Sequence, residues 1–323
     1  ITDQVKNFVA EKNRLLPISL ASSSSSSIGG NVATNAAGSK FIRYGATKDH
    51  VTKMRVMLAN GEVLSLQKEI AKDATGPNLM ELFFGSEGSL GIIFEIVLKT
   101  EERMHYAEHI LIKTDDLDKL RKHVLSSNIK KLISSIEYWD KNCQILLGDT
   151  PTSEYSVIIE LVSNEQSELD KALESLASIN ENISLLNSKQ AEEIWGKREE
   201  LPVILADNNA YKMDLSIPMD NLQLFLKKVN DIDANSMHSF GHLGDGNIHV
   251  NIISKANEEK LISQVYSLLK VLKGSPSAEH GIGQRKKEIW TDFSEYEDKY
   301  KLLQTLKKSM DPNNILSPKV FFK

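Results

Sequence analysis

The sequence predicts an α+β fold: a strand-rich N-terminal region, then an antiparallel sheet covered by helices on one face. Three observations carry this. VTKMRVML and EVLSL flank Asn60-Gly61, and Asn-Gly between strand-like runs is the strongest short hairpin signal. Beyond about residue 104, strand-like and helix-like runs alternate. Within that region Asp245-Gly246 sits between two more strand-like stretches, again a hairpin pattern.

In chain order, Val5–Leu15 reads as a helix. Ser22–Gly38, SSSSSSIGGNVATNAAG, follows. Six serines alone read as a linker, but the small residues, asparagines and threonine after them suit a loop that approaches a ligand closely. Val51–Leu66 is the hairpin. Leu82–Lys99 holds a second glycine-rich loop, GSEGSLG, then the strand IIFEIVLK. The charged stretch TEER marks a boundary near Thr100–Met104, giving domains 1–103 and 104–323. In the second, HILIKT, YSVIIELV, YKMDLSI and NIHVNII read as strands. Leu117–Leu125, Glu165–Ala177, Gln190–Glu200, Asn221–Val229, Asn257–Leu272 and Tyr296–Ser309 read as helices.

The 323 residues allow about two domains. A 41% hydrophobic, 26% charged composition is that of an ordinary globular chain. The net charge of −5 gives no basic field for nucleic acid, and no apolar run approaches the ~20 residues of a transmembrane helix. A single cysteine, Cys143, excludes an internal disulfide and fits a reducing compartment. The expected location is cytoplasmic, with mitochondrial or peripheral membrane placement left open. The chain opens at Ile1 rather than methionine, as a trimmed or incomplete N-terminus would.

GHLGDGNIHVN, Gly241–Asn251, is the sharpest chemical signal. With Asp245-Gly246 at the centre of a two-residue turn, His242 faces His249 with Cβ atoms roughly 5 Å apart, and Asn251 shares that face. Two imidazoles so placed either chelate a metal or are ordinary polar strand residues. In SAEHGIG, Glu279 adds a carboxylate, completing a two-His, one-acid set with an open metal position, and His280 is available as a base; alone, the segment reads as a helix-start loop with a solvated Glu-His pair. Arg198, beside Trp195 at i, i+3, and Lys212 on an alternating strand are cations for binding an acid, or solvated charges. The two glycine-rich loops suggest one shared ligand.

IGGNVATNAAG, IRYG, KDATGPNL, LFFGSEGSLGII, WGKRE, YKMDLSIP, GHLGDGNIHVN, AEHGIG and DPNNILSPKV together resemble the flavin-dependent 2-hydroxyacid dehydrogenases of the vanillyl-alcohol oxidase superfamily, in family order from residue 28 to the C-terminus. The branch most similar is that of D-2-hydroxyglutarate and D-lactate dehydrogenases. The resemblance implies an α+β chain in which the remaining half of a vanillyl-alcohol-oxidase-type FAD domain precedes a substrate and metal domain whose C-terminal segment returns to the flavin side. It implies that Ile28, Gly29, Gly30, Asn31, Thr34 and Asn35, with Gly85, Ser86, Glu87, Gly88, Gly91, Ile92 and Ile93, line FAD. It implies that His242, His249 and Glu279 hold a divalent metal, zinc foremost, that His280 is the catalytic base, and that Arg198, Lys212 and Asn251 bind a small 2-hydroxy acid. The serine tract then occupies the place of a family ligand loop.

Electrons would pass to an acceptor the sequence does not name, of electron-transfer-flavoprotein or quinone type, and a homodimer is one assembly open to it. The family's first FAD subdomain, with its pyrophosphate loop, has no counterpart here. The expectation is a shortened chain or incomplete gene model that binds FAD weakly or not at all by itself. Two other readings stay open: a non-catalytic subunit that has lost FAD, and a zinc hydrolase. Pro202 stands where some hydroxyglutarate enzymes carry a hydroxyl, leaving the choice of 2-hydroxy acid open.

Overall fold

The computed structural model of the chain describes residues 1–67, 72, 74–126, 128–179, 182–254, 256–293 and 296–322. Asp73, inside the KDATGPNL segment, lies outside them. The chain divides into two compact units. One comprises Ile1–Gly38, Gly45–Arg103 and Glu279–Lys323; the other comprises Ser39–Tyr44 and Met104–Ala278. Among the described residues no helix is long and apolar enough to cross a membrane.

The first unit carries β1 (Arg14–Leu15), β2 (Val51–Met57), β3 (Val63–Gln67), β4 (Ile92–Leu98) and β5 (Glu101–Glu102). β2 lies between β3 and β4, antiparallel to both, and β1 pairs with β5. The Asn60-Gly61 turn joins β2 to β3 as the sequence predicts: Met57 faces Val63, and Gly61 takes φ +84°, a left-handed conformation that glycine adopts without steric cost. From β2, Val51, Met54 and Val56 enter a core with Val32, Met80, Phe83 and Leu90. Leu303, Leu306 and Met310 of the Glu297–Met310 helix pack against that core in the i, i+3, i+7 stripe of an amphipathic helix. On the same helix Lys307 is buried, and its three donors are all used, on Ser89 O (3.0 Å), Asp311 Oδ2 (2.5 Å) and Leu316 O (2.5 Å).

Two N-terminal expectations need correction. The first helix is Thr2–Ala10, not Val5–Leu15. Asn13 takes a left-handed φ of +54° and breaks it, and Arg14 and Leu15 become β1. Ile28–Thr34 is a helix rather than a loop: Ser27 caps it by accepting from Gly30 N at 3.0 Å. Two glycines in its first turn hide this from propensity. The serine tract is folded and anchored, with Thr2 N donating to Ser26 O (2.9 Å) and Asp3 N to Ser23 O (3.1 Å).

The second unit is built on one seven-stranded sheet of β6 (Tyr106–Thr114), β7 (Ile133–Asp140), β8 (Tyr155–Ser163), β9 (Ile183–Leu186), β10 (Tyr211–Ser216), β11 (Met237–His242) and β12 (Asn247–Ile252). The spatial order is β10-β12-β11-β7-β8-β6-β9, antiparallel throughout. The middle strand, β7, is not foreseen. Ile133–Trp139 is buried on both faces, so ISSIEYW shows no period-2 alternation to mark it. The Ser188–Asp207 helix is longer than the predicted Gln190–Glu200 and runs through Pro202. Its Ala191, Leu201 and Leu205 pack on Trp139, Cys143, Ile158 and Phe240.

Candidate active site

The β11–β12 hairpin sets the geometry. Its register pairs His242 with Asn247, Phe240 with His249 and His238 with Asn251. The predicted pairing of His242 with His249 is therefore off by two residues. The connection spans Leu243–Gly246 rather than Asp245-Gly246 alone, with Gly246 at φ +80° and a Cβ there only 2.4 Å from Ile217 O. A slip of two preserves the face where a slip of one would invert it. His242 and His249 thus still share one face, ring centroids 5.6 Å apart and edge-on.

Neighbouring strands extend that face. β7 places Glu137 opposite His242 and Trp139 opposite Phe240; β10 places Asp214 opposite His249 and Lys212 opposite Asn251. Glu137 is buried; its Oε1 bonds His242 Nδ1 and its Oε2 accepts from Arg198 Nη2 at 2.6 Å. Beside a carboxylate, which accepts, Nδ1 is the donor of this pair; in the neutral ring that puts the lone pair on Nε2, the form of imidazole that binds a metal. On the other side Asp214 Oδ1 accepts from Asn247 Nδ2 (3.0 Å) and lies 3.7 Å from His249 Nδ1. Burial lowers the pKa of His238, at the far end of the stripe, and favours its neutral form.

Arg198 reaches the same face from the Ser188–Asp207 helix. It is buried, with its guanidinium 4.4 Å from the Phe240 ring centroid. Arg198 Nε, Trp139 Nε1 and Asn247 Oδ1 are buried with no hydrogen-bond partner among the described residues. Such atoms are costly to bury unless something meets them. Lys212 is exposed and donates to Pro202 O at 2.6 Å. Asn251 is buried, and its Nδ2 donates to His238 O (3.3 Å) and His249 O (3.1 Å).

The remaining predicted residues lie in the first unit. Glu279, half-buried, and exposed His280 open its last segment. The turn after them is held by Glu87, whose Oε1 accepts from Ile282 N (2.7 Å) and Oε2 from Gly283 N (2.8 Å). Gly281 and Gly283 have φ of +70° and +56°, and a Cβ on Gly281 would sit 2.4 Å from Glu87 Oε1. Burial raises the Glu87 pKa against the pull of those two amides. In the same loop Gly85 and Gly88 take φ of +70° and +74°, and a Cβ on Gly85 meets nothing within 4 Å, leaving backbone open to a ligand. Ser86 Oγ donates to Phe83 O (2.9 Å), and Gly91 makes room for Val56 Cγ1, 2.5 Å from where its Cβ would lie. Ile92 and Ile93 begin β4.

In the Ile28–Thr34 helix, Asn31 Nδ2 donates to Thr2 Oγ1 (2.8 Å) and Thr34 Oγ1 to Gly30 O (3.0 Å). Asn35, at a left-handed φ of +50°, caps the helix and accepts from Lys48 N at 3.1 Å. Gly29 and Gly30 lie in its first turn.

Residues 105–320 match the family of FAD linked oxidases, C-terminal domain. The chain belongs to that family. Residues 1–67 also match an FAD binding domain. Relatives of this FAD-linked oxidase chain include a protein named probable D-2-hydroxyglutarate dehydrogenase, mitochondrial, from Oryza sativa subsp. indica, 32% identical over 98% of the chain and 61% of the relative. D-2-hydroxyglutarate dehydrogenase of Stutzerimonas stutzeri is 28% identical over 100% of the chain and 75% of its own length. The chain thus spans about three-fifths of the rice relative.

Among solved structures, an alkyldihydroxyacetonephosphate synthase matches with a TM-score of 0.72 at 17% identity, over 99% of this chain and 62% of that one. A p-cresol methylhydroxylase matches with a TM-score of 0.73 at 14% identity, over 99% and 74%. These likenesses show the fold, which the chain shares with both proteins along nearly its whole length.

Proposed function

We propose that the protein oxidises a D-2-hydroxy acid, of the D-2-hydroxyglutarate or D-lactate type, to the 2-oxo acid, using FAD and a divalent metal. The observation that carries this reading is the polar face of the second unit. An imidazole pair lies beside a buried arginine whose Nε has no partner among the described residues. The names of the relatives support the substrate class, and the FAD binding domain match supports the cofactor.

His242 and His249 fit a metal by the chemistry of their donors: Glu137 fixes the first as an Nδ1–H tautomer, and Asp214 lies beside Nδ1 of the second. Glu279 is the proposed third ligand, and zinc suits two imidazoles and a carboxylate. Bound metal and FAD supply, respectively, a charge that lowers the pKa of a coordinated hydroxyl and an acceptor for a hydride. Arg198 binds the substrate carboxylate through its Nε–H, and its contacts with Glu137 and Phe240 keep it rigid while it does so. Lys212 takes a distal carboxylate when there is one, and Asn251 contributes a further contact. His280 accepts the hydroxyl proton, and the carbinol C–H leaves as hydride, so two electrons and two hydrogens depart per turnover.

Turnover tests the reading. Full-length protein loaded with FAD and zinc, given an artificial electron acceptor, should form 2-oxoglutarate or pyruvate from the D-acids, and chelation should stop it. No 2-oxo acid from either substrate would contradict the proposal.

A further inference from the structure

We infer that Glu137 is a positioning residue that ties the metal-ligand imidazole to the substrate-binding guanidinium. The inference rests on the functional reading above and adds a residue to it. Glu137 lies on β7, is 1% exposed, and has both oxygens engaged by functional groups: His242 Nδ1 on Oε1 and Arg198 Nη2 on Oε2. Its place follows from the sheet, since the β7–β11 register puts Glu137 directly opposite His242. A carboxylate this deep loses its hydration and is costly to bury unless it is well paired. Here the pairing comes from the two side chains that the site needs in fixed orientations.

The consequences differ from those of a plain core ion pair. On the histidine, the carboxylate fixes the tautomer, holds the ring and raises the basicity of Nε2. On the arginine, it holds one Nη while Phe240 supports the guanidinium at 4.4 Å, which leaves Nε–H for an anion. Glutamine at this position has one acceptor and one donor. If its oxygen faces Arg198, its NH2 faces His242 Nδ1 and selects the tautomer that carries hydrogen on Nε2, removing the lone pair needed for a metal. The reverse arrangement would set its NH2 against the guanidinium, donor to donor, and leave a buried cation unpaired; arginine has no acceptor form while imidazole can switch tautomer, so the first arrangement wins and the metal half of the site is lost with almost no change of shape.

Cobalt(II), which reports its coordination by visible absorption, tests this in the full chain without any assay of turnover. The probe is the metal alone, titrated in competition with a chelator of known affinity, below the unfolding temperature of each variant. Glu137→Gln should bind cobalt about 10- to 100-fold more weakly than the native chain. Glu137→Asp keeps the charge but is one methylene too short to span both partners; it is the second variant should the glutamine one fail to fold, and it should still bind cobalt at least about tenfold more weakly. If the folded variants bind cobalt within about twofold of the native affinity and with the same spectrum, Glu137 is a core ion pair and the inference fails alone. If the native chain binds no cobalt, the metal reading fails and takes the inference with it.

Discussion

Arg198 and Lys212 are both cations near one face, but their surroundings assign them different work. Arg198 is buried and clamped between Glu137 and Phe240; Lys212 is exposed and sits on the Pro202 carbonyl. Every 2-hydroxy acid has the carboxylate that Arg198 is proposed to bind. Arg198→Ala should therefore lower kcat/KM on D-lactate and D-2-hydroxyglutarate alike, by about 100-fold. Lys212→Ala should cost the dicarboxylate about tenfold more than D-lactate. Equal losses in the lysine variant would contradict a distal-carboxylate role and favour a monocarboxylate substrate. Sequence reading reaches these two residues, and the histidines, because each sits in a short patterned segment. It does not reach Glu137, which lies 105 positions from His242; only strand pairing brings them together, and no local spacing records it.

At the scale of elements, the hairpin shows why part of the site was legible and part was not. Asp245-Gly246 correctly marks a reversal, and alternation correctly puts His242, His249 and Asn251 on one face. The loop length, and so the register, is not marked locally: the connection runs Leu243–Gly246, and Gly246 lies against Ile217 O, outside the hairpin's own sequence. β7 escapes notice for the opposite reason: it is buried on both faces and so has no pattern.

The end of β7 also carries a pH-dependent feature. Asp140 caps the Lys141–Leu146 helix through Cys143 N (2.8 Å) and holds β11 through Ser239 N (2.6 Å). Burial, opposed by those bonds, pushes its pKa from 3.8 up to about 6. An acid whose pKa is raised on folding has its charged form disfavoured in the folded state. Its contribution is most favourable below the ordinary value and declines as pH rises towards 6, by up to about 3 kcal/mol. Asp140→Asn cannot ionise. The stability of the native chain relative to this variant, from urea unfolding, should therefore fall by that order between pH 4 and pH 7. A difference that does not change with pH would contradict the burial argument.

For the whole molecule, the α+β class and the antiparallel second-unit sheet were legible from alternation and turn chemistry, and the family from the order of many short segments. The division into units was less so, because residues 279–323 rejoin the first unit at a point where composition does not shift. The proposed reaction requires that a D-2-hydroxy acid give its carbinol hydrogen to flavin bound by this protein. Anaerobic mixing of the FAD-loaded full-length protein with D-2-hydroxyglutarate or D-lactate, followed by flavin absorbance, tests it most directly. Bleaching is expected with a D-acid, none with its L-enantiomer, and slower bleaching when the carbinol carbon carries deuterium. Flavin that stays bound and oxidised in the presence of both D-acids would contradict it.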